Sequence, residues 1–220
     1  MSSCVCNVLN LRDLIQAGLL LANIFLGRLN TVRFNSKKGY PPLSIQFEVS
    51  QDPEHLEQYY SLRQRCFRRE LDLPDFDGTE EEQDRHGHIL LALYDGQCIG
   101  GARISRHVTW TSQMGTLGLE AESCCMWERF AIDPRVRTLQ MFQEFCANLI
   151  TASLQAGYRH AMVLSSMRNA RFYRRCHSAL GVDFRIHRQV PHLAQGIFAG
   201  LEHYLSVSYL EDAAPLQIAI

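Results

Sequence analysis

Several short stretches of the chain either alternate apolar and polar residues or consist mostly of apolar residues, and both patterns predict β-strands. Leu43 to Val49 shows the alternation, and His160 to Ser165 is a short apolar run. Between two of the predicted strands, Asp95-Gly96 is a strong signal for a hairpin turn. The predicted strands are 43–49, 88–94, 97–106, a central strand that starts at 123, 160–165, 182–188 and 203–210.

Three segments are predicted to be helices. Asp52-Pro53-Glu54 has the residues that begin a helix, with aspartate as the N-cap, proline at the first helical position and glutamate in the first turn. We expect this helix to continue to about residue 71. Helices are also predicted over 139–155 and from about 169 to 180, where Gly181 ends the last one. The segments 71–87 and 109–122 contain proline or glycine and are predicted to be loops.

The order of these elements predicts an α+β domain with a single mixed, mostly antiparallel sheet that is flanked by helices. We place this domain at residues 43–220. Residues 1–42 are predicted to form an extra N-terminal amphipathic helix, over Leu11 to Leu26, and a linker. The apolar run in that helix is too short to span a bilayer. We therefore expect the helix to pack on the domain, and a helix that rests on the membrane surface is the alternative.

The composition is that of an ordinary globular protein, because 46% of the 220 residues are hydrophobic and the net charge is −1. A net charge near zero gives no electrostatic reason to expect nucleic-acid binding. The charges are unevenly distributed, and this suits a negatively charged partner such as a carrier protein, although two solvated faces explain it equally well. The acidic group is Glu80, Glu81, Glu82 and Asp84, and the basic second half contains Arg168, Arg171, Arg174, Arg175, Arg185 and Arg188.

The eight cysteines show neither a disulfide framework nor a metal site. Several lie within apolar runs, such as Cys66 and Cys124, where a thiol packs like a small apolar side chain. Cys4 and Cys6 form a C-x-C pair, but no second pair stands at zinc-like spacing, so we predict no metal. Cysteines that serve in packing indicate a reducing compartment, and we predict a cytoplasmic location.

The chemistry of the chain is predicted to centre on Ser123 to Thr138, where a strand is followed by a turn and a helix. Glu128 and Arg129 stand near the end of the strand, and Asp133-Pro134 ends it. The N–H groups at the start of a helix are available to an anion such as a phosphate-bearing ligand. Our hypothesis is that the remainder of the chain builds a crevice at this joint.

The order of elements and two motifs resemble the GNAT acyltransferase family. E-R-F-A-I-D-P at 128–134 is similar to the fourth strand of that fold, and N-A-R-F-Y at 169–173, followed by Leu180-Gly181, is similar to its N-A-x-x-x-Y helix with one residue fewer. Members that use acetyl-CoA have a glycine-rich pyrophosphate loop, whereas residues 135–140 contain no glycine. Side chains there keep the backbone away from a pyrophosphate, so acyl-CoA is the less expected donor.

Within the GNAT family, residues from about 46 to 188 resemble a branch that takes its acyl group from acyl carrier protein. This branch contains the acyl-homoserine lactone synthases, the N-acyl amino acid synthases and the ornithine N-acyltransferases. The resemblance implies that no cofactor is bound, that acyl carrier protein is the partner and the donor, and that a small amine is the acceptor. The similar segments are L-R-Q-R-C-F at 62–67 with Glu70, E-Q-D at 82–84, G-G-A-R-I at 100–104 and E-R-F-A at 128–131.

Two departures distinguish the chain from the lactone synthases. A glutamate is expected three residues before the arginine, where this chain has Met126, and the tryptophan expected after the first helix is missing. We therefore favour an N-acyl amino acid synthase that transfers a medium- or long-chain acyl group. An acyl-homoserine lactone (autoinducer) synthase is one alternative. A non-catalytic GNAT-like module that docks on a membrane or on a partner is the other.

Amide formation from a thioester requires a neutral amine, a polarised carbonyl and a proton for the leaving thiolate. Glu128 is the candidate base, and an ion pair at the end of the strand is the structural alternative for it. Tyr173 is the candidate donor to the leaving sulfur or the residue that binds pantetheine, with core packing as its alternative. The resemblance also implies that N–H groups of a splayed central strand hold the thioester oxygen.

Arginines on predicted strands need partners, because an unpaired guanidinium is costly to bury. Arg103 and Arg129 are predicted either to pair with Glu82 and Asp84 or to bind the carboxylate of an amino acid acceptor. The predicted substrate-binding residues are Arg63, Phe67, Glu82, Asp84, Arg103, Arg129, Phe130 and Asn169.

Overall fold

The computed structural model describes residues 32–34, 43–106, 110–190 and 196–211. Its strands, numbered β1 to β8 in chain order, are Val32–Phe34, Leu43–Ser50, His88–Tyr94, Gln97–Ser105, Cys124–Ile132, His160–Ser165, Asp183–His187 and Tyr204–Tyr209. The helices, α1 to α5, are Pro53–Glu70, Glu82–His86, Thr111–Thr116, Leu139–Gln155 and Met167–Ala179. Two 3₁₀ turns lie at Ala121–Ser123 and Gly196–Phe198.

The strands form one eight-stranded sheet in the order β1-β2-β3-β4-β5-β6-β8-β7. Among the described strands, β5 and β6 form the single parallel pair, and all other neighbouring pairs are antiparallel. The prediction of an α+β domain with one mixed, mostly antiparallel sheet flanked by helices is therefore confirmed.

Local patterns located most elements to within two residues. The N-cap at Asp52 is confirmed, because its carboxylate accepts hydrogen bonds from the N–H groups of Glu54 and His55 at 2.9 and 3.1 Å. The hairpin at Asp95-Gly96 is also confirmed. Its two residues have φ values of 50° and 73°, as a type I′ turn requires.

Three elements differ from their predictions. Strand β1 lies in the predicted linker, yet it pairs with β2 and extends the sheet. Helix α2 lies in a predicted loop, where the N–H group of Glu81 donates to the carboxylate of Asp84 and basic residues stand in the last turn. Helix α3 lies in the other predicted loop, where the buried Met114 anchors it among apolar residues of the sheet.

The N-terminal part of the prediction lies outside the described residues. This applies to the amphipathic helix at Leu11 to Leu26 and to the C-x-C pair, and the division between residues 1–42 and 43–220 stays a prediction. Within the described ranges, no helix combines the length and the apolar character that are needed to span a membrane.

Helices cover both faces of the sheet. Successive residues of a strand point to opposite faces. In β3, Leu90 and Ala92 belong to the core beneath α4 and α5, whereas Ile89 and Leu91 pack against Tyr59 of α1. We name these two sides the α4 face and the α1 face. Helix α1 lies over β4 and β5, the strands that carry the predicted site.

Candidate functional site

The parallel strands β5 and β6 separate in the middle of β5. Their pairing begins at Cys124 and ends where Trp127 lies opposite Val163. Beyond that point, from Glu128 onward, β5 is not paired with β6, whereas β6 stays paired with β8 as far as Ser165. Backbone groups of β5 that point towards β6 along this gap are therefore not used by the sheet, whereas those that point towards β4 stay paired. A gap of this kind is what the predicted contact with a thioester oxygen needs.

A β-bulge at Arg129 determines which side chains of β5 point to the α1 face. The register shifts so that one residue of β4, Ala102, stands opposite two residues of β5, Arg129 and Phe130. Arg129 has φ 55°, in the left-handed region that residues other than glycine seldom adopt. The extra residue places Glu128 and Arg129 together on the α1 face and turns Phe130 to the α4 face, where its ring lies 4.9 Å from that of Phe145.

Tyr59 of α1 holds the bulge in place. Its hydroxyl donates to the backbone carbonyl of Arg129 at 2.8 Å, and its ring is fully buried. Gly101 of β4 makes room for that ring, because a Cβ at this position would overlap it. Burial raises the pKa of Tyr59 well above its usual value, so the hydroxyl remains a donor near neutral pH.

The bulge brings Glu128 and Arg129 next to a buried cluster of charged side chains. We name Arg63, Asp84 and Arg103 the closed half of this cluster, because their side chains are at most 1% exposed. Arg63 donates to the two carboxylate oxygens of Asp84 at 3.1 and 2.8 Å, and Arg103 donates to the same carboxylate at 3.0 Å. Arg63 also donates to two backbone carbonyls of the loop after α1. Each guanidinium nitrogen of both arginines has an acceptor within the protein.

We name Glu81, Glu128 and Arg129 the open half, because their side chains are 17 to 24% exposed. Oε2 of Glu128 accepts hydrogen bonds from Arg103 at 3.0 and 3.2 Å and from the hydroxyl of Ser105 at 2.7 Å. Glu81 connects the two halves, since it accepts from Arg103 at 2.6 Å and from Nε of Arg129 at 2.9 Å. The ion pair that was the structural alternative for Glu128 is therefore present.

Arg129 differs from the two arginines of the closed half. Its Nε is bound to Glu81, but its terminal nitrogens, Nη1 and Nη2, make no hydrogen bond with any described residue. The guanidinium lies 4.7 Å from the ring centroid of Phe198 and 6.0 Å from that of Phe76. A guanidinium with two unused, partly exposed nitrogens is suited to a two-point contact with a carboxylate.

The cluster shifts the pKa values of its buried members. Burial alone would raise the pKa of Asp84, but hydrogen bonds from Arg63 and from the N–H group of Glu81, together with the arginine charges, lower it below its usual value. Burial alone would lower the pKa of Arg103, but the charges and hydrogen bonds of Glu128, Glu81 and Asp84 raise it instead. The closed half therefore stays charged at neutral pH.

Of the predicted pairings of Arg103 and Arg129 with Glu82 and Asp84, the structure shows the one between Arg103 and Asp84, whereas Glu82 pairs with neither arginine. The carboxylate that contacts both Arg103 and Arg129 belongs to Glu81, and Glu82 is exposed. Residues two positions apart on a helix point in nearly opposite directions. Helix α2 therefore presents Asp84 to the cluster and turns Glu82 towards solvent.

Two further residues were predicted to bind substrate, Phe67 and Asn169. Phe67 is half-buried, one helical turn after Arg63, and its ring centroid lies 4.8 Å from that of Phe76. Asn169 is exposed in the first turn of α5, where its N–H group donates to the hydroxyl of Ser166. Because the carboxyl ends of parallel strands meet at one edge of a sheet, this turn lies at the edge where β5 leaves β6.

The structure does not bring Tyr173 into contact with Glu128. Its ring is buried on the α4 face, with centroid distances of 5.0 Å to Phe142, 6.2 Å to Phe130 and 5.9 Å to Phe184. Burial raises the pKa of Tyr173 well above its usual value, so the hydroxyl remains a donor. The gap between β5 and β6 connects the face that carries Tyr173 with the face that carries Glu128.

The turn between β5 and α4 uses several of its N–H groups internally. The Asp133 carboxylate accepts from the N–H group of Arg135 at 2.9 Å, and the Thr138 hydroxyl accepts from the N–H group of Met141 at 3.0 Å. An anion that approaches this helix start therefore meets N–H donors that already have acceptors, beside an Asp133 carboxylate that is paired with Arg135.

Four residues of the candidate site were not predicted from the sequence. Ser105 had a usable signal, because it stands two residues after Arg103 on a strand and so points to the same face. Glu81 is the N-cap of α2, a position that a capping-box pattern marks. Tyr59 and Phe198 have no local signal, because their partners lie on other elements of the fold.

Other titratable side chains of the described residues do not form a second centre. No group of three or more His, Cys, Asp or Glu residues in the described ranges is arranged to hold a metal ion. The described cysteines are free thiols, and five of the six are buried, as expected of packing residues. His177 lies on the buried side of α5, where burial lowers its pKa to about 4 and its Nε2 atom has no hydrogen-bond partner among the described residues.

Residues 56–177 match the model of the family described as acetyltransferase (GNAT) family. The match covers more than half of the 220 residues and contains the charged cluster and the separated strands. No curated protein matches the chain.

Several solved structures share the fold. The AHL synthase LasI is 21% identical, with a TM-score of 0.53 over 76% of this chain and 88% of LasI. BjaI, a CoA-dependent acyl-homoserine lactone synthase solved with SAM and isopentyl-CoA, is 17% identical, with a TM-score of 0.54 over 74% of this chain and 80% of BjaI. Escherichia coli ElaA is 15% identical, with a TM-score of 0.52 over 74% of this chain and 98% of ElaA. At these identities the likeness concerns the fold alone.

Proposed function

The chain belongs to the acetyltransferase (GNAT) family, and we propose that within this family it transfers a medium- or long-chain acyl group from acyl carrier protein to the amine of an amino acid or a similar small acceptor. The observation that carries the proposal is the placement of Arg129. Its terminal nitrogens have no partner among the described residues, and it stands next to Glu128 on the part of β5 that has left β6.

In the proposed reaction the acceptor amine attacks the thioester carbonyl, so a C–N bond forms and the C–S bond breaks. Glu128 takes the proton from the amine, directly or through a water molecule. Backbone N–H groups of β5 along the gap stabilise the oxyanion, because β6 does not use them. The leaving thiolate receives a proton, for which Tyr173, across the gap, is our candidate donor.

Arg129 binds the carboxylate of the acceptor in this proposal, which places the α-amine beside the neighbouring Glu128. The closed half acts through position, because its arginines have no nitrogen left for a ligand. In this proposal Phe67, Phe130 and Asn169 line the approach to the gap.

Two features support acyl carrier protein as the donor. The turn after β5 uses the N–H groups of Arg135 and Met141 internally, where a pyrophosphate would otherwise bind. The outer side of α5 presents exposed arginines, which suit a negatively charged protein. Acyl-CoA is the competing donor, since BjaI, which shares the fold, is CoA-dependent. The exposed arginines are Arg168, Arg171, Arg174 and Arg175.

The donor and the acceptor are tested together. Purified protein is incubated with one acyl group carried either by acyl carrier protein or by CoA, each with a panel of amino acids. Release of the free thiol is followed over time, and the products are identified by mass spectrometry. We expect an N-acyl amino acid from the carrier-bound donor. An acylated lactone as the product would identify a signal synthase instead. Turnover with acyl-CoA alone would show that acyl-CoA, and not acyl carrier protein, is the donor. No product from either donor would refute the proposal.

Glu128→Gln tests the base. Loss of general-base catalysis is expected to lower kcat by about 100- to 10,000-fold. The glutamine still accepts hydrogen bonds from Arg103 and Ser105, so the fold should be retained. Glu122→Gln, whose side chain is 79% exposed just before β5, is the matched control and should have the kcat of the wild type. A wild-type kcat for Glu128→Gln would exclude Glu128 as the base.

A further inference from the structure

The 3₁₀ turn Gly196–Phe198, which precedes β8, reaches the charged cluster. Strands β7 and β8 are separated from β5 by β6. Phe198, in this 3₁₀ turn, nevertheless lies 6.2 Å from the ring of Phe67 in α1 and 6.1 Å from the ring of Phe76 in the loop that follows α1. Phe198 therefore connects the two parts of the sheet at the edge where they separate.

The ring of Phe198 also covers the guanidinium of Arg129. The distance from the guanidinium carbon to the ring centroid is 4.7 Å, within the limit of about 6 Å for a cation–π contact. On another edge, Nε of Arg129 is bound to Glu81 at 2.9 Å. The carboxylate and the ring together orient the guanidinium, and both terminal nitrogens stay without a partner among the described residues.

An orienting contact matters more for Arg129 than for the other arginines of the cluster. Arg63 and Arg103 are held by hydrogen bonds on every guanidinium nitrogen, whereas Arg129 is held through Nε alone. A long, partly exposed side chain loses rotamer freedom when it binds a ligand, and contacts that fix it beforehand reduce that loss. The ring of Phe198 is the contact that supplies this restraint.

We propose that Phe198 is a positioning residue that orients the guanidinium of Arg129 to bind the carboxylate of the acceptor. Through it, the 3₁₀ turn that precedes β8 contributes to the selection of acceptors that carry a carboxylate. This inference rests on the function proposed above for Arg129. Phe198 acts on the acceptor through Arg129 and takes no part in the bonds that form and break.

Phe198→Leu tests the inference, because leucine keeps an apolar side chain and removes the aromatic face. The KM for an amino acid acceptor should rise about 3- to 30-fold, the range of a cation–π contact, while kcat and the KM for the acyl donor stay unchanged. The KM for the amide of the same amino acid, which lacks the carboxylate, should not change. Phe198→Tyr should restore the wild-type KM. Phe198→Met is expected to raise the KM for the amino acid to the same extent as Phe198→Leu, and it replaces that variant in the test if Phe198→Leu does not fold.

Ile197→Ala is the matched control, because Ile197 is the neighbouring apolar residue and is 47% exposed. Its kinetic constants should equal those of the wild type. Equal losses with the amino acid and its amide, a raised donor KM, or no recovery with Phe198→Tyr would overturn the inference. The wild-type protein distinguishes the failure of the two proposals. If the wild type does not prefer the amino acid over its amide, the proposed role of Arg129 is wrong. If the wild type does prefer the amino acid and Phe198→Leu has the wild-type KM for it, only the inference about Phe198 is wrong.

Discussion

The closed half and the open half of the charged cluster contain the same kinds of residue in contact with one another, yet they are suited to different tasks. In the closed half, two arginines share one aspartate, and all three side chains are buried. In the open half, the side chain of Arg129 is 20% exposed, and only its Nε is hydrogen-bonded to a described residue. The comparison teaches that burial and the number of occupied donors decide whether an arginine supports the fold or is available to a ligand.

The physical basis of this difference is desolvation. A charge that leaves water must recover the lost solvation from partners inside the protein, so a buried guanidinium needs acceptors around it. Arg63 and Arg103 have an acceptor at each guanidinium nitrogen. Arg129 stays near solvent and can keep two nitrogens for an exchangeable partner.

The largest expected effect comes from removing the shared carboxylate of the closed half. Asp84→Asn leaves two buried guanidinium groups short of a negative charge, which should lower the free energy of unfolding by about 3–5 kcal/mol. Urea denaturation measures it. Glu80→Gln, which removes a surface ion pair with Arg85, is the control and should change that free energy by less than about 1 kcal/mol. Equal stability of the two variants would contradict the description of a closed half.

Acid pH should weaken the closed half by protonating Asp84. Protonation of His177 also changes the free energy of unfolding, but at higher pH, so the two effects have to be measured separately. Its pKa is about 4 in the folded protein, below the value of about 6.5 expected after unfolding. The unfolded chain therefore binds the proton first. The contribution of His177 to the free energy of unfolding should decline as the pH falls from about 6.5 to about 4, by up to about 3 kcal/mol. Urea unfolding of the wild type and of His177→Leu across that range isolates this contribution, because Glu144, whose pKa burial raises to about 7, and His187, whose pKa burial lowers, are common to both proteins. The difference in stability between the two proteins should change by that amount.

The contribution of Asp84 appears below this range. Its pKa is lowered in the folded protein, so the stabilisation is complete above the usual aspartate value of about 3.9 and is lost as the pH falls through the folded value. His177→Leu should therefore still lose stability below about pH 4. A variant with constant stability there would show that protonation of Asp84 does not open the closed half.

Arg129→Gln tests the open half. Glu81 keeps Arg103 as a partner, so the free energy of unfolding should change by less than about 1 kcal/mol. The KM for the acceptor should rise about 10- to 100-fold, as expected from losing a hydrogen-bonded contact between charged groups. Steady-state kinetics and denaturation are measured on the same preparation. A large loss of stability with an unchanged KM would assign Arg129 to the closed half.

The smallest effect is expected at Ser105. Ser105→Ala removes one of the three hydrogen bonds to Oε2 of Glu128, which should lower the free energy of unfolding by about 1 kcal/mol and kcat by less than about tenfold. The two bonds from Arg103 keep the carboxylate in place. A loss of kcat as large as that of Glu128→Gln would mean that Ser105 takes part in the reaction.

Several features of the site were predictable because they depend on neighbours in the sequence. Asp52, Pro53 and the acidic first turn determine where α1 begins. Asp95-Gly96 determines the hairpin, and apolar periodicity determines the extent of α4. The strand signal and the Asp133-Pro134 stop place Glu128 and Arg129 near the end of β5.

Other features could not be predicted because they depend on contacts between distant elements. The bulge at Arg129 requires a positive φ at a residue other than glycine, and the hydroxyl of Tyr59, which is 70 positions away, holds it there. The choice of Glu81 over Glu82 depends on the direction in which the short helix α2 presents its side chains to Arg103.

The sequence by itself determined the long helices, most strands, their order and the strand that carries Glu128 and Arg129, because capping, turn formation and hydrophobic periodicity are local properties of the chain. It did not determine β1, α2 or α3. Only the tertiary structure decided that Arg103 is buried with every nitrogen occupied, that Arg129 is left open, and that Phe198 covers it. The reason is that burial and pairing of charges are properties of packed neighbours, and these neighbours come from segments that the sequence keeps far apart.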